Sequence, residues 1–159
     1  MAGLTDIEIG NFSKVFYYKD DTSKWVEVAR VQSLTHPTDE RNIVEVAQFG
    51  QTYPRKLAGS ASVGNAEMMV NYVNADHKEI DGLYSDGTRC PFAIQVSSSG
   101  AKKDDGMHYT FWGQVASRTV AGDFDAVVTT TYSISVDAGI SDWVEGIVTD
   151  ATPKPDEPI

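Results

Sequence analysis

Three histidines and one cysteine are the most reactive side chains in this sequence: His36, His77, His108 and Cys90. A metal centre needs ligands at short, regular spacing, and no histidine stands so spaced from another or from Cys90. His77, beside the start of an expected helix, reads as a surface residue. Cys90 precedes Pro91 at a strand entry and has only Arg89 next to it in sequence. It reads as a small buried hydrophobe, not a nucleophile. The acids Asp20-Asp21, Asp104-Asp105 and Asp123/Asp125 fall in or beside expected turns, where Asp side chains bond their own backbone. A calcium site would need more oxygen ligands at spaced positions. Walker A, GxGxxG after a strand, HExxH and GxSxG patterns are all missing from the sequence. Trp25, Trp112 and Trp143 could stack on a sugar. In strands, Trp25 and Trp112 are more simply core or interface residues, leaving Trp143, in an acidic stretch, as the exposed one. Neither a catalytic set nor a cofactor is implied.

The elements that must position these residues belong to one domain with tails, since the chain has 159 residues. A core of this size buries roughly 69% of the unfolded surface and needs no staple. The single cysteine excludes an internal disulfide. No apolar run reaches transmembrane length, and Met1–Asp6 lacks the basic start and apolar stretch of a signal peptide. The expectation is a protein used without passing a secretion channel and without a membrane partner. The formal charge is −10, the wrong sign for a free nucleic-acid binder, which gains affinity by neutralising phosphates. The acid is concentrated: residues 119–159 hold eight acids against one base, Lys154.

Residues 1–13 read as an N-terminal arm. Lys14–Tyr18 is aromatic and β-branched and predicts a strand. Asp20-Asp21-Thr22-Ser23 supplies a turn, and Trp25–Leu34 predicts the answering strand of a hairpin. Thr35–Asp39 breaks regular structure, Ile43–Phe49 alternates like a strand, and Gly50–Gly64 is rich in small residues. Taken whole, 35–65 is longer than a plain connection and reads as a functional or mobile loop. Ala66–Val73 favours a strand. Asp76–Tyr84 predicts a helix, with Asp76 as cap, Glu79 completing a capping box and Ser85-Asp86-Gly87 as stop. Phe92–Ser98, Tyr109–Arg118 and Val128–Ala138 predict three longer strands, with Gly100–Gly106 as a polar hairpin loop. In the last strand Val128, Tyr132, Ile134 and Val136 point one way. Thr129, Thr131, Ser133, Ser135 and Asp137 point the other. Pro153–Pro158 is an acidic, proline-rich end with no evident means of burying itself. The fold class is mainly β, a sandwich or barrel with one flanking short helix.

From the helix onward, order and texture resemble the tail tube proteins of long, non-contractile-tailed, lambda-like bacteriophages. The helix is followed by Cys90–Ser98, then by Tyr109–Arg118 with its Phe-x-Gly-x-Val unit, Phe111-Trp112-Gly113-Gln114-Val115. A break at Val120-Ala121-Gly122-Asp123 leads to Thr129–Val136, similar to the family's final strand. The match covers roughly 14–140, with 141–159 as a C-terminal extension too short for a second, Ig-like domain. The resemblance implies a tail tube β-sandwich with no enzymatic activity, forming hexameric rings that stack into the hollow tube through which genomic DNA passes. Its partners would be further copies of itself, tail terminator and tail tip proteins, and the tape measure protein and DNA inside the lumen. It would be assembled in the host bacterial cytoplasm and end in the virion tail.

On that reading the 35–65 segment orders on assembly, with Phe49, Tyr53, Arg55 and Leu57 as contacts. Trp143, Val144 and Ile147 suit contacts from the C-terminal extension, with order expected to about residue 150. Thr129, Thr131, Ser133 and Asp137 suit the lumen. A domain this long is about 39 Å across, so about 23 phosphate charges sit within one ring. A lumen of acids and hydroxyls would let DNA slide, whereas Lys and Arg would brake it by releasing counterions. Rival readings are the tube of a contractile injection or secretion system, and a carbohydrate-binding β-sandwich using Tyr109, Trp112 or Trp143.

Overall fold

The computed structural model of the chain describes residues 13–96 and 106–158. The 1–12 arm and most of the expected Gly100–Gly106 loop lie outside the described residues. The described residues are mainly β with one helix. Its strands are β1 (Lys14–Lys19), β2 (Lys24–Glu27), β3 (Val31–Thr35), β4 (Asp39–Val46), β5 (Arg55–Val63) and β6 (Ala66–Asn71). The helix α1 (Asn74–Asp86) follows, then β7 (Arg89–Val96), β8 (Met107–Ala121), β9 (Thr129–Ile140) and the short β10 (Val144–Glu145).

One sheet runs β2-β1-β7-β8-β9-β6-β3, with β10 added to β8, and β4-β5 form a separate pair. The two ends of the long sheet, β2 and β3, are neighbours in sequence, and this dictates its shape. Laid flat, seven strands at about 4.8 Å spacing would separate the ends by about 29 Å. Four Cα steps from Glu27 to Val31 reach about 15 Å. The sheet must therefore roll until its ends approach. The connector is bonded to both sides of the seam: Val28 N–H donates to Val15 O (2.8 Å) and Asn71 N–H to Arg30 O (3.0 Å). Arg30 takes a left-handed φ of 61° at the corner.

This corrects the expected hairpin. Tyr18 does pair with Trp25. The answering strand ends at Glu27, however, and Val31–Thr35 crosses the seam to pair with β6. The 35–65 segment is likewise not an irregular loop; most of it is the antiparallel pair β4-β5.

Inside the roll, Val15, Tyr17, Met68, Val70, Phe92, Ile94, Tyr109, Phe111, Val115, Tyr132 and Ile134 form the core. The alternation expected for β9 holds at Tyr132 and Ile134, which are buried, while Thr129, Thr131 and Ser133 are half-buried on the other side. Val128 is exposed, because β9 begins only at Thr129. Gly113 sits in the core row of β8. A Cβ there would meet Ile134 Cγ2 at 2.8 Å, Ser135 O at 3.0 Å and Phe92 Cδ2 at 3.2 Å. The Phe-x-Gly-x-Val unit thus needs its glycine for close approach of three strands.

The helix α1 is tied to the seam connector at its first turn and to β1, β8 and β9 further along. Its N-cap is Val73 with no side-chain cap, so the expected Asp76–Glu79 capping box is not formed. His77 takes that place: Val73 N–H donates to its Nδ1 (3.0 Å), and its Nε2–H donates to Ala29 O in the connector (2.8 Å). His77 is therefore fully buried and not a surface residue. The acids of α1 are used as ties. Asp76 pairs with Arg30 (3.0 Å), and Glu79 accepts from Tyr17 (2.6 Å) and Lys19 (2.8 Å) of β1. Asp81 accepts from Tyr72 (2.7 Å), Tyr132 (2.9 Å) and Arg118 (3.1 Å). At the other end Gly87 is left-handed, and Gly87 and Thr88 N–H return to Tyr84 O and Leu83 O, the expected stop.

Candidate assembly surface

The β4-β5 hairpin has no core of its own. Val44 pairs with Leu57 and Ile43 with Ala58, on opposite faces, and all four are exposed. Phe49 and Tyr53 stand exposed in the connecting turn, and exposed Arg55 opens β5 opposite Val46. A bulge between Arg41 and Ile43 bends the ribbon. Glu45–Lys56 at 3.7 Å is an exposed pair worth little. The root is firmer. Gly64 N–H donates to Thr38 O (2.7 Å), and a ring nitrogen of His36 lies 2.6 Å from the Tyr109 hydroxyl. A lone two-stranded ribbon is marginal in water. One showing Ile43, Val44, Phe49, Tyr53 and Leu57 to solvent has the composition of a surface that needs a partner. Sequence reasoning picked out Phe49, Tyr53, Arg55 and Leu57 but missed Ile43 and Val44. It also missed the far end of the β8-β9 hairpin, where Val120, Phe124, Val127 and Val128 are exposed. The available signal was an aromatic, Phe124, between two turn acids.

The C-terminal extension folds back on its own sheet. Ser141 N–H donates to Thr110 O (2.9 Å), and Trp143 packs edge-on against Tyr109 at 4.8 Å between centroids. Val144 pairs with His108 through β10. Val148 is buried with Trp25 and Ala93 on the outer face of the sheet, against Phe16 and Tyr18, and its N–H donates to Gln95 Oε1 (2.9 Å). Beyond residue 150, Trp25 Nε1–H donates to Thr152 O and Trp112 Nε1–H to Pro155 O, each at 2.9 Å. The proline-rich end is therefore docked, contrary to expectation, and β7 is covered on both faces. Trp143 and Val144 are half-exposed and Ile147 is partly buried. Tyr109 and Trp112 are buried, so of the three aromatics considered for a sugar platform only Trp143 is at the surface.

On the outer face of β9, Ser133 Oγ accepts from Asn65 (3.3 Å), and Asp137 is ion-paired with Arg89. Thr129, Thr131 and Ser133 therefore present hydroxyls, and the charge of Asp137 is partly neutralised. Cys90 is buried, and burial, with help from the Asp20 charge, pushes its thiol up to about 12. Among the described residues, no group of three or more His, Cys, Asp and Glu is placed to hold a metal ion, and no helix is long and apolar enough to cross a membrane.

The chain is thus a rolled antiparallel sheet with a flanking helix and a separate two-stranded ribbon. Solved structures match it, three of them from tails or a baseplate. One is a tail chain of an empty gene transfer agent particle with C6 helical symmetry (TM-score 0.64, 14% identity, covering 85% of this chain and 98% of that one). Another is the SPP1 tail tube (0.64, 16%, 91% and 82%). A third is a chain of the anti-feeding prophage baseplate (0.65, 13%, 84% and 91%). At such identities the likeness establishes the fold: this chain has the tail-tube fold. No protein-family model and no curated protein matches the sequence.

Proposed function

We propose that this chain is a structural tail-tube subunit that assembles into six-membered rings, stacked into a hollow conduit for DNA in a phage virion tail. The observation that carries this is the β4-β5 ribbon: a tail-tube fold whose separate two-stranded sheet exposes apolar side chains on both faces. In the assembly Phe49, Tyr53, Arg55 and Leu57, with Ile43 and Val44, rest on a neighbouring copy. Trp143, Val144 and Ile147 offer a second contact. Each fully buried aliphatic or aromatic side chain would contribute about 1.5–3 kcal/mol per subunit. Thr129, Thr131, Ser133 and Asp137 face the bore, where hydroxyls and acids leave DNA unbraked. Terminator, tip and tape measure proteins would meet the same tube at its ends and inside it. The protein has no catalytic role on this reading.

The likeness to a chain of the anti-feeding prophage baseplate supports a second reading, the tube of a contractile injection system. That system would need a sheath around the same tube.

The reading is tested by sedimentation of the full chain carrying Val44→Asp and Leu57→Asp. Loss of high-mass species with an unchanged thermal midpoint is expected; assembly equal to the parent would sink the proposed contact.

A further inference from the structure

The last residues of the chain occupy their own sheet in a way that defines a recognition site. The strand registers place Trp25 beside Tyr18 and Pro91 beside Trp112. Tyr17 beside Phe92 lies one step along. Trp25, Tyr18, Pro91 and Trp112 thus form one row across β2, β1, β7 and β8, on the face away from the core. Across this row lies Thr152-Pro153-Lys154-Pro155. Proline fixes φ near −65°, and the residue before a proline is pushed to extended backbone. Both Thr152 and Lys154 precede prolines, which favours a polyproline II-like course for the segment that leaves the Thr149–Thr152 turn.

A polyproline II helix has three residues per turn and no internal hydrogen bonds, so carbonyls at i and i+3 are free and point the same way. Two indole N–H groups read such a pair here: Trp25 takes Thr152 O and Trp112 takes Pro155 O. Between them Lys154 Nζ sits 5.5 Å from the Tyr18 ring centroid and 3.7 Å from Asp20 Oδ1. An aromatic row that donates to carbonyls three residues apart, with an acid reading an intervening Lys, is the chemistry by which proline-rich ligands are bound.

We infer that the Trp25–Tyr18–Trp112 row is a docking site for a Thr-Pro-Lys-Pro segment, filled by the chain's own tail and open to the tail of a second copy. The second copy is favoured because every copy carries the fitting sequence. None of the residues of the tail beyond Val148 belongs to the core inside the roll, so the tail can be exchanged without opening that core. This inference does not depend on tube formation.

The test uses the full chain with Lys154→Glu and Pro155→Gly, which weakens self-docking at exposed and partly exposed positions. The probe is a synthetic peptide with the natural sequence of residues 149–158. Saturable change in tryptophan fluorescence is expected, at least ten-fold tighter than for the unaltered chain, whose site is filled. Replacing both Pro153 and Pro155 of the peptide by Gly should weaken binding about ten-fold. Adding Trp112→Phe to the protein, which keeps a ring but removes the N–H, should weaken it several-fold. Absence of binding to the altered chain, or equal binding of the natural and glycine peptides, would overturn the inference. The peptide comparison needs no change in the sheet and stands even if the Trp112 variant folds poorly.

Discussion

Gly113 lies so close to Ile134 that a methyl group on its α-carbon would stand 2.8 Å from Ile134 Cγ2. Ser135 O and Phe92 Cδ2 close the other sides at 3.0 and 3.2 Å. Three strands, β7, β8 and β9, meet at this point in the roll, and the backbone of β8 can approach only without a side chain. Gly113→Ala should therefore destabilise the isolated chain by about 1–3 kcal/mol through overpacking. Denaturant unfolding checks this, and an unchanged midpoint would mean that the strands pack more loosely than described.

The acids of α1 make stability depend on pH in a fixed direction. Lys19 and the Tyr17 hydroxyl hold the Glu79 carboxyl below its ordinary range. Burial alone would raise Asp81, but Tyr72, Tyr132 and Arg118 outweigh it and hold it low as well. A carboxyl lowered in the folded state binds fewer protons there than when unfolded. Its stabilisation is thus present above the unfolded pKa of about 4 and lost as pH falls through the folded value. The thermal midpoint should be flat near neutrality and fall below about pH 4. The fall should be shallower in Glu79→Gln, and equal slopes would remove Glu79 from the account.

Cys90 should be inert in the native chain. Its thiol is buried and pushed up to about 12, so little thiolate forms at neutral pH. A chromogenic disulfide reagent should label it only after unfolding. Rapid labelling of the native chain would show that β7 opens locally.

The hydroxyl face of β9 gives a functional prediction. In the proposed six-membered ring, Thr131→Lys with Ser133→Lys would add twelve cations and should slow DNA passage, more so at low salt, where screening is weaker. Timing genome release from assembled particles is the readout, and unchanged release would take this face out of the bore.

What the sequence allowed to be read follows from which residues face a core. The β9 strand was legible because Tyr132 and Ile134 alternate with Thr131, Ser133 and Ser135 on a half-buried sheet. The hairpin β4-β5 was legible only in part: Ile43–Phe49 alternates and overlaps β4, whereas β5, exposed and rich in small residues, carries no such pattern. The start of α1 was misjudged because His77, not Glu79, reaches back to the N–H of the N-cap Val73, and its other nitrogen bonds Ala29, 48 positions upstream. The docked tail was invisible for the same reason: the indole that holds Thr152 is 127 positions away. The tail's own composition of prolines and acids signals solvation, not burial. Of the candidate site, the aromatic turn residues Phe49 and Tyr53 stood out by type, whereas Ile43 and Val44 looked like ordinary strand core.

Electron microscopy of the purified full chain, negatively stained over a range of concentrations and salt, bears most directly on whether this protein works by polymerising. The account predicts rings and hollow tubes with six-fold end views. Dispersed single subunits under every condition, from a chain that is folded by circular dichroism, would contradict it.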